Sequence, residues 1–268
     1  GVALTGDRVD VCKQSGKIDD LREALESRSV DGAAGIGHTR WSTHGPPTDE
    51  NAHPHLDCTG DVAVVHNGII ENYQTLRDEL VSAGHGFKSD TDTEVVPHLI
   101  EDALADGLDP ERAVRDAVSR LEGSYAIAAV VAGDDTVYAA RNDSPLVLGI
   151  DEGEARSASE QPSGDEPRGR AFYLASDVPA FRDFTDRVVY LDDGEFAVLT
   201  AEEWRVTDAD GDPVEKAVDT VDWDPEETGK SGYDHYMLKE IHEQPRAIRQ
   251  CLRGRVDEMA AEVDIGDL

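Results

Sequence analysis

The sequence predicts a layered α+β domain in which a group of helices packs on antiparallel strands. Three observations carry that expectation. Amphipathic helical patterns cluster between residues 70 and 121, short strand patterns follow from Tyr125 to Thr200, and turn residues rather than helices separate those strands. A doubly wound parallel sheet would need a crossover helix between consecutive strands, and none is signalled there.

Taken in order, residues 61–66 (DVAVVH) read as a strand that runs into an Asn67-Gly68 turn. A helix follows, with Ile70, Tyr73, Leu76 and Leu80 on its apolar face and a stop at Gly84. Residues 91–105 make a second helix, in which Thr91 and Glu94 have the spacing of a capping box and Pro97 falls in the first turn. A third opens at Asp109-Pro110 and buries Val114, Ala117, Val118 and Leu121. Strands are expected at Tyr125 to Ala132, Thr136 to Arg141, Leu146 to Ile150, Phe172 to Ser176, Val188 to Leu191 and Phe196 to Thr200, separated by turn residues such as Asp192-Asp193-Gly194. No internal repeat is present, which excludes solenoids and propellers. A polar linker is expected around Pro225 to Gly232. It divides a first domain, residues 1–230, from residues 231–268, where Tyr236 to Leu252 read as a helix interrupted near Pro245.

The composition narrows the partners. Across 268 residues there are 58 Asp and Glu against 25 Lys and Arg, a formal net charge of −33. Such an excess disfavours nucleic acid and anionic membranes, and no apolar run approaches the roughly 18 residues of a membrane span. The acids occur from Asp7 to Asp267, including a surface insert expected between Asp151 and Glu166, so they do not form one acidic tail. We read them as adaptation to a salt-rich cytoplasm, in which screening shortens the repulsion. The three cysteines, Cys12, Cys58 and Cys251, share no paired spacing and fit a reducing compartment.

Four segments concentrate His, Arg, Trp, Asn and Asp: Gly37 to Gly45, Asn51 to His55, His66 to Asn72, and Thr91 to Glu94. Each has a structural explanation of its own. Asn67-Gly68 is a favoured tight turn, Asp92 suits a helix N-terminus, and Arg40 suits a surface ion pair. His53 and His55, with His44 or Asp57, are candidate zinc ligands, although they lack the helical i, i+4 spacing. The chemical readings are different. A side-chain amide beside an unhindered glycine N–H is what an oxyanion hole requires, and a planar guanidinium suits a carboxylate ligand.

Together the segments resemble class II glutamine amidotransferases, which belong to the N-terminal nucleophile hydrolases. The resemblance is closer still to glutamine-fructose-6-phosphate aminotransferases, whose glutaminase domain carries HTRW, NAHPH, VVHNGIIEN and TDTEV stretches. It extends to Ser144-Pro145-Leu146-Val147, to Ala175-Ser176-Asp177 and to Tyr236 through Pro245, which resembles that family's junction with its sugar isomerase domain. The resemblance implies a four-layer αββα sandwich of two antiparallel sheets. It also implies that Arg40 holds the α-carboxylate of glutamine and Asp92 its α-ammonium, with Thr43 and His44 lining the pocket. Asn67 and Gly68 would form the oxyanion hole, and Trp41 would sit on a loop that closes over glutamine and directs ammonia. No cofactor is implied. The partners implied are glutamine, the protein's own isomerase domain and a second copy joined through that domain.

The sequence departs from this family at the nucleophile, an N-terminal cysteine whose own α-amine is the base. Position 1 is Gly, and neither Cys12 nor Cys58 has a free α-amine. The expectation is therefore a domain that lacks its front segment and does not hydrolyse glutamine as it stands. The alternative is a non-catalytic glutamine-binding or regulatory module.

The charge generates a first prediction. Thermal melts across a salt series should show a melting temperature that rises from dilute buffer to molar salt, as a Debye length of about 3 Å at 1 M screens the surface repulsion. A melting temperature independent of salt would remove the solvent-adaptation reading.

Overall fold

The computed structural model describes residues 1–26, 28, 32–40, 45–153, 169–222, 233, 235–252, 256–257 and 262–263. The chain divides into two units, Gly1–Thr220 and Val221–Leu268. The expected linker at Pro225 to Gly232 and most of the expected insert at Asp151 to Glu166 lie outside the described residues.

Among the described residues, three antiparallel sheets build the first unit. The largest has six strands in the order β12-β11-β7-β6-β5-β4, drawn from β4 (His55–Leu56), β5 (Val62–Ile70), β6 (Gly123–Val131), β7 (Asp134–Asn142), β11 (Phe196–Leu199) and β12 (Trp204–Thr207). A second has four strands in the order β13-β10-β8-β9, from β8 (Val147–Asp151), β9 (Ala171–Ala175), β10 (Arg187–Tyr190) and β13 (Asp219–Thr220). The third, β2-β1-β3, uses β1 (Val2–Leu4), β2 (Asp10–Cys12) and β3 (Gly35–Gly37).

Strand alternation sends the two faces of the six-stranded sheet into different cores. Val62, Val64, Ile127, Ala129 and Val198 face the helices α2 (Tyr73–Ala83), α3 (Val95–Ala105) and α4 (Pro110–Ser119), where they meet Leu76, Leu80, Leu99, Ile100 and Val114. The opposite face is rich in alanine, which lets backbones approach closely. Ala126, Ala139 and Ala197 meet Leu148, Ile150 and Val189 of the four-stranded sheet, and Ala63, Val65 and Ala128 meet Ala3 and Ile36 of the three-stranded one. Helix α1 (Ile18–Glu26) buries no side chain and leaves Ile18 exposed. Its Leu25 lines an open groove together with Val2, Leu4, Arg28 and Gly35 to Gly37.

The expected α+β sandwich is therefore present, with three local corrections. The strand expected to end in an Asn67-Gly68 turn continues, because Val62 through Ile70 pair with β6 in unbroken register from Val62↔Val131 to Ile70↔Gly123. Ile70 is thus the last strand residue rather than the first of the helix. The capping box at Thr91 and Glu94 does not form. The Glu94 carboxylate instead accepts from Lys88 N, Ser89 N and Ser89 Oγ at 2.7, 2.6 and 2.6 Å, and α3 begins after it. In the second unit α5 (Tyr236–Leu252) runs on through Pro245, where an interruption was expected. Elsewhere local chemistry behaves as read. Asp109 Oδ1 accepts from Arg112 N at 3.0 Å with Pro110 in the first turn. Gly84 closes α2 in the left-handed region, where His85 N donates to Leu80 O at 3.0 Å.

Candidate active site

Strand β5 and the turn before α3 bring the site together. Asn67 and Gly68 stand at the far end of β5, opposite Ala126 and Tyr125 of β6. At Gly68, with φ +133°, an added Cβ would lie 2.1 Å from Ser124 O, so no side chain fits there. Two residues on, the Ile70 amide donates to Asp92 Oδ2 at 2.9 Å in a buried bond. Asp92 is itself 4 % exposed. The strand that carries the amide pair thus also fixes the carboxylate.

Arg40 approaches from the segment after β3. Its guanidinium donates to Pro46 O at 3.1 Å and Gly45 O at 3.3 Å. That turn is held by Asn51, whose Nδ2 donates to Pro46 O at 3.0 Å while its Oδ1 accepts from Asp90 N at 2.9 Å. Asn51 therefore links the Arg40 turn to the Asp92 turn. Arg40, Asn67, Gly68 and Asp92 line one cavity of about 180 Å³ together with His38, Thr39, His53, His66, Thr91 and Thr93. Trp41, Thr43 and His44 lie outside the described residues.

The imidazoles of His38, His53 and His66 line this cavity with His55 beside them, and the sequence reading assigned His38 and His66 no role. His38 Nε2 lies 2.6 Å from Asn67 Oδ1, and burial pulls the His38 pKa below its ordinary value. A neutral ring that donates from Nε2 occupies the amide oxygen and leaves the Asn67 NH₂ to point elsewhere. His53 stacks on His38 with centroids 4.3 Å apart, and its Nδ1 accepts from His66 N at 3.2 Å. His66 Nδ1 lies 2.9 Å from Thr93 Oγ1, and His55 Nε2 lies 3.0 Å from Thr91 Oγ1. Burial, then the neighbouring His55, holds His53 well below its usual pKa, and burial, then Lys13, pulls His55 down to about 3. As for the zinc reading of this segment, the described members have other work. His53 and His55 serve these hydrogen bonds, and the Asp57 carboxylate accepts from Gly60 N and Val62 N at 2.9 and 3.0 Å.

A second cavity, of about 590 Å³, opens beside the first and shares His38, Thr39, His66 and Asn67 with it. It is a slot over the alanine face of the six-stranded sheet, lined by Gly35 to Gly37 of β3, Phe172 to Ala175 of β9, Gly1 and Val2, and Ile18 and Leu21 of α1. Each of those strands is the terminal strand of its own sheet. Every residue of β9 is only half-buried, as expected of an uncovered strand. Neither Cys12, which pairs with Val2 in the three-stranded sheet, nor Cys58 lines either cavity.

This sandwich is the fold of a glutamine amidotransferase domain. Residues 38–163 match the family described as a glutamine amidotransferase domain. Among solved structures, a glutamine phosphoribosylpyrophosphate amidotransferase from B. subtilis superimposes with a TM-score of 0.58 at 23 % identity, over 78 % of this chain and 42 % of that one. A glutamine aminotransferase class-II domain protein from Silicibacter pomeroyi gives 0.54 at 19 % identity, over 80 % and 92 %. Both show the fold.

The particular family follows from closer relatives. Glutamine–fructose-6-phosphate aminotransferase (isomerizing) from Halobacterium salinarum is 53 % identical over 99 % of this chain and 41 % of its own length. The protein of the same description from Methanothermobacter thermautotrophicus is 46 % identical over 100 % and 42 %. The chain belongs to the glutamine–fructose-6-phosphate aminotransferases, and it spans about two-fifths of the length of these curated relatives.

The neutral imidazoles generate a prediction in pH. Unfolded, His55 takes up a proton near its ordinary pKa of 6.5, whereas the folded protein resists protonation down to about 3. Between those values the unfolded state binds more protons, so this contribution is intact above 6.5 and is lost as pH falls. One such group steepens the fall by up to about 1.4 kcal/mol per pH unit. Urea unfolding at pH 6.5, 6.0, 5.5 and 5.0 should show a shallower decline in His55→Gln than in wild type. Parallel declines would mean that His55 is protonated in the fold.

Proposed function

We propose that the first unit binds glutamine across Arg40 and Asp92 and presents its side-chain amide to Asn67 and Gly68, as the ammonia-releasing half of a glutamine–fructose-6-phosphate aminotransferase. The observation that carries this reading is the single cavity lined by all four residues. An amino-acid zwitterion calls for one fixed cation and one fixed anion. Arg40 supplies a planar fork for the α-carboxylate, and the buried Asp92 supplies the partner for the α-ammonium. At about 180 Å³ the space suits a small metabolite better than the 300–1,000 Å³ typical of drug-sized ligands. Trp41, Thr43 and His44 complete the proposal as the covering loop and further pocket lining.

Hydrolysis of the amide proceeds by acyl transfer. A thiolate adds to the amide carbon, and the carbonyl oxygen gains charge between the Asn67 NH₂ and the Gly68 N–H. The C–N bond then breaks as ammonia takes up a proton, and water cleaves the resulting thioester to glutamate. Since neither described thiol lines the cavity, the chain as it stands is proposed to bind glutamine without turning it over. The thiol of the working enzyme is proposed to arrive on an extended segment laid in the slot between β3 and β9. β3 and β9 are each the terminal strand of their own sheet, and the slot runs to Asn67. The ammonia is proposed to pass to fructose 6-phosphate on a sugar isomerase domain. The unit Val221–Leu268, with α5, is proposed as the start of that domain, and the whole protein as a dimer through it.

Calorimetry on the chain should detect glutamine binding. Arg40→Ala should weaken it about tenfold or more, since loss of a hydrogen bond to a charged group is worth roughly 1.5–3 kcal/mol. Asn67→Ala should leave affinity nearly unchanged. In the parent enzyme that substitution should lower turnover by about 100 to 1,000-fold. Equal affinity of wild type and Arg40→Ala would sink the assignment.

A further inference from the structure

A second cluster lies outside this site, on the far side of α3. Cys58 follows β4, His85 follows the glycine that closes α2, and His98 with Glu101 stand one turn apart on α3. Cys58 Sγ lies 3.5 Å from His85 Nδ1 and 3.6 Å from His98 Nδ1. Glu101 Oε2 lies 3.0 Å from His85 Nδ1 and 3.2 Å from His98 Nδ1. All four donor atoms fall within 4.8 Å of one another.

We propose that Cys58, His85, His98 and Glu101 form a tetrahedral site for a zinc ion. Zinc bonds of about 2.3 Å to sulfur and about 2.0–2.2 Å to nitrogen and oxygen place tetrahedral S–N edges near ~3.5 Å and N–O edges near ~3.4 Å. The two S–N edges, 3.5 and 3.6 Å, match these values, and the two N–O edges, 3.0 and 3.2 Å, fall a few tenths of an ångström inside them. One thiolate and one carboxylate also neutralise the charge of a divalent ion, and the mixed N, S, O donor set suits zinc over calcium or magnesium.

The outer nitrogens supply an independent argument. Without an ion, Glu101 Oε2 accepts from Cys58 N at 3.0 Å and has both Nδ1 atoms within hydrogen-bond reach, so it accepts from all three when each ring is the Nδ1–H tautomer. Both rings then carry their hydrogen on Nδ1, and the buried His98 Nε2 has no hydrogen-bond partner, with Glu94 Oε1 at 3.9 Å. His85 Nε2, 2.8 Å from Asp102 Oδ1, would need a second proton to donate to it. With an ion bound, both imidazoles are neutral, ligate through Nδ1 and carry hydrogen on Nε2. His85 then donates to Asp102, and His98 turns its N–H toward Glu94. A carboxylate behind each metal-bound histidine is the usual supporting arrangement.

Four protein ligands leave no open position, so the site is structural. It ties the β4–β5 loop and the end of α2 to α3, the helix that follows Asp92. Cys58 is exposed and gives an ion its way in.

The test is metal titration of the whole chain after treatment with a chelator. Cobalt(II) should develop tetrahedral bands with thiolate charge transfer that saturate at one equivalent, and one equivalent of zinc should bleach them. Zinc should also raise the melting temperature of the stripped protein. Cys58→Ser should lose the thiolate band while Cys12→Ser keeps it, and Asp102→Asn should weaken zinc about 10 to 100-fold. Because His98 is buried, the exposed Cys58 and the half-buried Asp102 carry the test without threatening the fold. No saturation at one equivalent, a spectrum without thiolate character, or wild-type zinc affinity in Cys58→Ser would each overturn the proposal. A spectrum without thiolate character would place the ion on the His38, His53, His55 and His66 layer instead.

Discussion

The bond from the Ile70 amide to the Asp92 carboxylate is the constraint on which the rest of the site depends. It is buried and charge-assisted, the kind of hydrogen bond that is expensive to leave unmade. At one end of it stands β5, held over nine residues by β6, so Asn67 and Gly68 cannot move without disturbing the central sheet. At the other end stands the turn into α3, whose buried face locks against Val62 and Val64 of the same strand. Backbone donors and anion are therefore positioned by one packing unit. Asn51 extends that unit to the Arg40 turn through its bonds to Pro46 and Asp90.

The second organising feature is a contrast in charge between inside and outside. The surface carries the acidic excess, while the layer along the cavity is built from imidazoles kept neutral by burial. Neutral rings can both donate and accept, which is how His38, His53 and His55 join Asn67, the β5 backbone and Thr91 without adding charge beside the Asp92 carboxylate, while His66 Nδ1 meets Thr93 Oγ1. A protonated layer there would add positive charge beside Arg40 in the same cavity.

Much of the fold was legible because its long elements follow simple periods. β6, β7 and β11 alternate or run apolar, and α4 has both its Asp109 cap and its Pro110 start. The failures have local causes. β2, β3 and β4 are two or three residues long, too short for a period to register. Asn67-Gly68 has the composition of a turn, yet nine residues of pairing override that preference, with glycine needed because β6 passes too close for a Cβ. Glu94 has capping spacing, but its carboxylate satisfies the Lys88–Ser89 backbone instead. Arg40, Asn67, Gly68 and Asp92 were singled out through motif likeness, and the cavity they share was not deducible from spacing. The histidine layer had a signal in its density alone. The Cys58 cluster had almost none, since its ligands come from three separate segments and only His98 and Glu101 are a helical turn apart.

The most direct test of the account is a crystal structure of the chain grown with glutamine. The α-carboxylate should rest on the Arg40 guanidinium and the α-ammonium on Asp92. The side-chain carbonyl oxygen should lie about 2.7–3.1 Å from both the Asn67 amide nitrogen and Gly68 N. Glutamine seated in another cavity, or turned so that its α-ammonium lies against Asn67 and away from Asp92, would contradict the account.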